Sequence, residues 1–378
     1  MPSSSTNFDV WSYIVGLFRA QPVLTFLKEE DWQEVLQFAE RHLVRPYLLQ
    51  QWSDQKIDVS GHVHQALQDT VRKITLRILL NQLQQQQVLD LFAKNSFDVV
   101  PFKGITWAKD LYQHVDRRES SDIDIMIRQR DIEKIRTLLL AHGYSEYFSA
   151  DAAQRKKIMQ VQPEYNYVYY DAHGTGHLIE PHHRTNHPYA GFYFTYEDLE
   201  AMVVKDAAGQ CHYTPEGTCV LITINNGVNE GWQTLKYLLD LHLFLVKYPD
   251  CNWSAIRDHL TRTGLFSSLL CGIGLCAEVF GNTIPEDYSE AMNSQRIRNL
   301  VRNRISVLKS HKNQFRLQLA RWRYNFWSRD NPAVAMKVLY LQFILPTHDD
   351  YRFILLPAKW FFLYPAVRIF RILKKYLS

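Results

Sequence analysis

Cysteine is scarce in this chain: five in 378 residues, at 211, 219, 251, 271 and 276, odd in number and with no Cys-x-x-Cys pair. That usage fits free thiols in a reducing compartment better than a disulfide framework. The opening "MPSSSTNFDVWSYIVGLF" lacks the basic start and small-residue cleavage site of a secretory signal. Long apolar runs are missing too; the longest are broken by charge or proline, so none reads as a membrane span. There is no internal repeat and no low-complexity segment. A cytoplasmic protein is therefore expected. Hydrophobic residues make up 46% of the chain, which excludes a disordered protein, and the length allows two or three domains with a sizeable core.

Acidic residues are nearly absent from one end. Residues 291–378 hold 17 Lys and Arg against three Asp and Glu, a net of +14, so the first 290 carry −10. Between 296 and 329 there are ten basic residues and no acid, interleaved with Phe315, Trp322, Tyr324, Phe326 and Trp327. Charge with aromatics suits RNA. The amphipathic, cationic close "PAKWFFLYPAVRIFRILKKYLS" suits an anionic membrane surface. Docking of the segment onto the acidic body is the favoured expectation, because so many aromatic residues rarely stay bare.

Residues 8–96 read as helices, the longest carrying Leu76, Leu79, Leu80 and Leu83 at helical spacing. "FDVVPFKG" is a short strand, "ITWAKDLYQHV" a helix and "DIDIMI" a second strand. "RDIEKIRTLLLAHGY" is a helix with Asp131 and Glu133 in its first turn and Gly143 at its end. "EYNYVYYD" and "HLIEPHH" form a hairpin around "AHGTG". From about 196 the pattern is mostly helical again. The expected fold is α+β: a small mixed-sheet core at 97–195 between an N-terminal helical region, 1–96, and a C-terminal helical region, 196–378.

Asp is a poor strand former, yet "DIDIMI" places two in a run of isoleucines. Strand side chains alternate, so the isoleucines pack on one side while Asp122 and Asp124 project together from the other. Such a pair suits Mg²⁺ or Mn²⁺, hard cations that take oxygen ligands and share substrate phosphates. Two-metal phosphoryl or nucleotidyl transfer needs a further carboxylate; Glu180, on a strand expected to lie beside the first, supplies one, with Leu178 and His182 on its face. Pro181 lacks a ladder donor, so that strand is expected at an edge or ending there. Gly104 follows a strand and opens a helix, so its amides can meet an anion. Lys103, Thr106 and Arg118 add a charge, a hydroxyl and a second cation for a triphosphate.

"FKGITWAKDLY…RESSDIDIMI…IEPHH" resembles the DNA polymerase β-like nucleotidyltransferase superfamily and, more narrowly, a bacterial family patterned LKG…LY…RxxxDIDLLV…GY…ELHW. The similarity extends over most of the chain, including a later helix with Trp232 and Asp240. It implies metal binding by Asp122, Asp124 and Glu180, phosphate contacts near Lys103 and Gly104, and an NTP as substrate. The chain departs from the pattern where Gly-Ser becomes Gly104-Ile105, where ELHW becomes Glu180-Pro181-His182-His183, and where Asn226 or Asn229 replaces a His.

His177, His182, His183 and His187 match no zinc spacing; His182 is expected near the site as a proton acceptor or orienting group, the others at the surface or in turns. Trp232 and Asp240 read as structural. The expected activity is metal-dependent transfer of a nucleoside monophosphate from an NTP to a hydroxyl of a sugar, metabolite, peptide, protein or RNA. The alternatives are a non-catalytic nucleotide-binding accessory protein of a biosynthetic cluster, or a nucleic-acid or membrane module acting through residues 291–378.

Overall fold

The computed structural model describes residues 8–23, 27–147, 149–310 and 314–377; Lys312 of the basic run lies outside them. The lead-in helices are α1 (Val10–Phe18), α2 (Glu29–Arg41), α3 (Arg45–Asp54) and α4 (Gly61–Lys94). The centre follows as β1 (Val100–Pro101), α5 (Gly104–Leu111), β2 (Asp122–Met126), α6 (Ile132–Ala141), β3 (Ser145–Glu146), α7 (Ala152–Val161), β4 (Tyr167–Tyr170) and β5 (Gly176–His182). Then come α8 (Tyr196–Leu199), a ribbon of β6 (Val203–Lys205) and β7 (Cys211–Tyr213), α9 (Pro215–Ile222), α10 (Leu235–Lys247), α11 (Trp253–Thr263), α12 (Phe266–Phe280), α13 (Ser289–Met292), α14 (Gln295–Lys309), α15 (Gln314–Trp327), α16 (Pro332–Ile344), α17 (His348–Phe353) and α18 (Tyr364–Leu377).

The chain adopts the expected α+β class. Its mixed sheet runs β1-β2-β5-β4-β3, with β2 and β5 parallel and the other pairs antiparallel. The hairpin around Gly174 forms as read; β3, α7 and the β6–β7 ribbon were not legible, being short or weakly periodic. One sheet face buries Ile123, Ile125 and Ile179 against Val88 and Phe92 of α4, Ile135 and Leu139 of α6 and Ile158 of α7. Met126 and Phe102 join the larger core built by the lead-in helices and α9–α12. Gly143 ends α6 with φ +83°, the left-handed position where a side chain is unfavourable.

Packing corrects or refines three points of the sequence reading. First, of the two expectations for the strand with Pro181, the edge position fails, since β5 lies between β2 and β4, while the strand does end there, at His182. Pro181 is tolerated because the β4 ladder ends at Ile179, so its missing N–H breaks no bond on that side. Second, the helix read from Leu76, Leu79, Leu80 and Leu83 forms, but Leu76, Leu79 and Leu83 face outward, while α4 buries Ile78, Asn81, Gln84 and Gln85. The buried amides are used: Asn81 Nδ2 donates to Ser121 O at 3.0 Å and Gln84 Nε2 to the Tyr144 hydroxyl at 2.6 Å. Third, His177, His183 and His187 are buried rather than superficial. His177 donates from Nδ1 to Asn81 Oδ1 at 2.7 Å, and His187 bridges Tyr189 N and Pro346 O.

The basic C-terminal part does dock on the body. Arg304 is buried and donates to Gly231 O at 2.9 Å, and Arg329 stacks over Phe192 at 5.3 Å. Arg368 and Arg371 of α18 turn inward onto Asp350, which is fully buried. No helix among the described residues is long and apolar enough to cross a membrane.

Candidate active site

The parallel register sets the site. Asp122 faces Leu178 across the β2–β5 ladder, Asp124 faces Glu180 and Met126 faces His182. Because both strands alternate in phase, Asp122, Asp124, Glu180 and His182 leave the sheet on one side. One ligand atom each of Asp124, Glu180 and His182 lies within 4.8 Å of the others. Asp122 stands one pleat along the same face.

Asp124 is the hub. Its Oδ1 accepts from Lys103 Nζ at 3.0 Å and from His182 Nε2 at 2.9 Å. Burial raises its pKa, but the Lys103 charge and the His182 bond outweigh that and hold it well below the usual range. Glu180 is on the other side of the balance. Burial, with the charges of Asp124 and Glu164, pushes it up to about 7 against the bond from His182. Burial and Lys103 press His182 down, yet its bonds to Asp124 and Glu180 and the nearby Glu164 carry it to about 9. A clustered set of acids needs positive charge; here an ammonium and an imidazolium supply it.

Lys103 reaches the cluster because the chain turns sharply after β1. Lys103 has φ +58° and Gly104 φ +37°. A Cβ at Gly104 would stand 2.8 Å from Ser120 Oγ and 3.3 Å from Asp122 O, so the turn packs against the entry to β2 too closely for any side chain. The first turn of α5 begins there.

Two residues expected at the phosphates have other partners. Arg118 is buried and bonds Asp240 with Nε to Oδ1 at 2.7 Å and Nη2 to Oδ2 at 2.9 Å. Tyr112 and Asn226 complete the shell of Asp240, and Arg118 Nη1 reaches Gly104 O at 3.4 Å. The arginine thus ties the turn to α10, and Asp240 has the structural role read from its sequence. Thr106 points away from the carboxylates: its hydroxyl accepts from Gln85 at 3.4 Å, and it lines a separate cavity of about 530 Å³ with Lys109, His212 and Tyr248.

Other residues join the site without having been singled out. Glu164 pairs with His182, Oε2 to Nδ1 at 3.6 Å, and accepts from His348 Nε2 at 2.9 Å. Burial raises Glu164, but the His348 bond and the His182 charge bring it down to about 2. Asn166 Nδ2 donates to Glu180 Oε1 at 3.0 Å. Lys236, half-buried on α10, faces the charges of Arg118, Asp240 and Asp122. Glu164 and Asn166 alternate into "PEYNYVYYD", a signal that strand phasing would have offered. His348 arrives from 184 residues further on, and nothing local announces it.

Could these groups hold a divalent ion? The donor set is the carboxylates of Asp124 and Glu180, with Asp122 one pleat along and the protonated His182 orienting Asp124 beside them. Lys103 Nζ already stands in for a cation on Asp124, and Glu180 loses its proton near neutrality. The residues fit such an ion.

No curated protein and no solved structure matches the chain. One family model does, over residues 28–281, from α2 through the sheet to the end of α12. That span contains the carboxylate face, its lysine and the Arg118–Asp240 tie, and the chain belongs to the family described as uncharacterised nucleotidyltransferase.

Proposed function

We propose that this chain is an enzyme of the polymerase β-like type that moves a nucleoside monophosphate from an NTP to a hydroxyl acceptor, with residues 97–195 as its catalytic core in a cytoplasmic setting. Asp122, Asp124 and Glu180, with His182 beside them, would hold Mg²⁺ or Mn²⁺, which when bound supplies positive charge to the phosphates and makes the acceptor hydroxyl more acidic. The acceptor oxygen bonds to the α-phosphorus, the bond from that phosphorus to the bridging oxygen breaks, and pyrophosphate leaves. Glu180, ionising near neutrality, is suited to take the hydroxyl proton. His182 is held protonated, so of its two expected roles orientation of Asp124 is the fitting one. Lys103 and the amides at Gly104 are suited to the phosphates. The observation that carries this reading is the in-phase β2–β5 pairing in a chain of this family. Incubation with each labelled NTP, Mg²⁺ or Mn²⁺ and a cell extract tests it: label should pass to an acceptor with pyrophosphate release, and Asp124→Asn should abolish both.

A second reading has its own support. Asp124 is already neutralised by two internal cations, an arrangement a non-catalytic nucleotide-binding accessory protein can keep. NTP binding without pyrophosphate release in any extract would favour it.

A further inference from the structure

The helix α18 turns two arginines inward beside Tyr364 and Val367. Arg368 and Arg371 face the body, bonded to Asp350 at 2.9 and 2.6 Å, and Arg368 also donates to Gln342 O of α16. Large apolar residues are left outside: Ile369, Phe370 and Leu373 are each at least 50% exposed, and Phe362, just before the helix, is 73% exposed. Trp360 adds to them. Phe353 and Ile354, also exposed, extend the surface, with the Phe353 and Phe370 rings 6.2 Å apart. A surface of this kind on an isolated chain marks an interaction.

Charge identifies the occupant. Residues 351–377 carry six Lys and Arg and no acid. Two arginines are spent on Asp350; Arg352, Lys359 and Lys374 are exposed, with Lys374 Nζ 5.7 Å from the Phe353 ring. We propose that this face lies on the surface of an anionic lipid bilayer, apolar side chains in the headgroup–acyl boundary and lysines against the headgroups. A second copy would bring one cationic surface against another. RNA would use the cations and rings, but Ile354, Ile369 and Leu373 would gain nothing from it. The ion pairs to Asp350 hold the helix flat on the body with its apolar side outward, so the docking surface is part of the fold.

Flotation of the full chain with phosphatidylcholine vesicles, with and without phosphatidylglycerol, tests this. Binding is expected to the anionic vesicles alone, with salt weakening it. The triple variant Ile369→Ser, Phe370→Ser, Leu373→Ser should bind at least about tenfold more weakly while keeping the parent melting temperature. Should the triple variant misfold, Lys359→Glu with Lys374→Glu gives an independent check, with the same loss expected. Failure to float with anionic vesicles overturns the proposal, as does undiminished binding by a folded triple variant. So would a dimer, or a complex with single-stranded RNA, that the triple variant abolishes while vesicle binding persists.

Discussion

The guanidinium of Arg118 grips the carboxylate of Asp240 from 122 residues away, both groups almost without access to solvent. Removing one partner of a buried pair strands the other as an uncompensated charge. Arg118→Ala should therefore cost about 3–5 kcal/mol of unfolding free energy, read from urea denaturation. Asp240→Asn in the same chain should recover part of it. A folded Arg118→Ala protein of unchanged stability that merely loses NTP affinity would restore the arginine to the phosphates.

Divalent-ion binding should depend on pH through Glu180. Its carboxyl is held up to about 7, and a ligand must be unprotonated. Mn²⁺ affinity, followed by electron paramagnetic resonance, should rise as pH passes from 6 to 8 around that value. Asp124→Asn with Glu180→Gln should weaken it by more than about tenfold. A pH-independent affinity would show that Glu180 is not a ligand.

The tight turn at Lys103–Gly104 admits no methyl group. Gly104→Ala should cost roughly 1–3 kcal/mol and displace Ser120 and the start of β2 together. Thermal unfolding gives the first effect. The second would appear as lost Mn²⁺ binding in protein that is still folded, since Asp122 moves with its strand.

Acid should act through His187. Burial lowers its pKa from 6.5 to about 3, outweighing the bond to Pro346. Its Nε2–H donates to Pro346 O at 2.9 Å while Nδ1 accepts from Tyr189 N at 3.2 Å. A second proton would land on Nδ1, facing an N–H. The unfolded chain binds that proton first, so the stabilisation is complete above 6.5 and is lost as pH falls towards 3. The melting temperature should drop across that window, and His187→Gln should flatten part of the drop. An identical pH profile in the variant would assign the acid sensitivity to other groups.

Glu164→Gln should leave the fold intact but uncouple His182, since Glu164 helps hold its proton. The His182 titration, followed by NMR of the ring protons, should move down from about 9. No movement would make Glu164 a partner of His348 alone.

Local periodicity was enough to reveal the carboxylate face. Alternation in "DIDIMI" and "HLIEPHH" dictates that Asp122, Asp124, Glu180 and His182 point together once the strands pair, and the isoleucines dictate which side is core. The helical flanks and the left-handed stop at Gly143 were legible for the same reason: they depend on neighbours within a turn or a pleat. What only the tertiary structure decided depends on partners far along the chain. Arg118 looks like a phosphate ligand until Asp240 appears beside it. The leucines of α4 look like core until Asn81 and Gln84 are needed inside as donors to Ser121 and Tyr144. The cationic helix α18 looks like a solvated surface with an apolar inner side until Asp350, buried and bonded otherwise to Thr347, takes two of its arginines inward and leaves Ile369, Phe370 and Leu373 outside. In each case a buried polar group demanded a partner, and that demand, stronger than the preference of any single apolar side chain for the interior, reversed what local patterning implies.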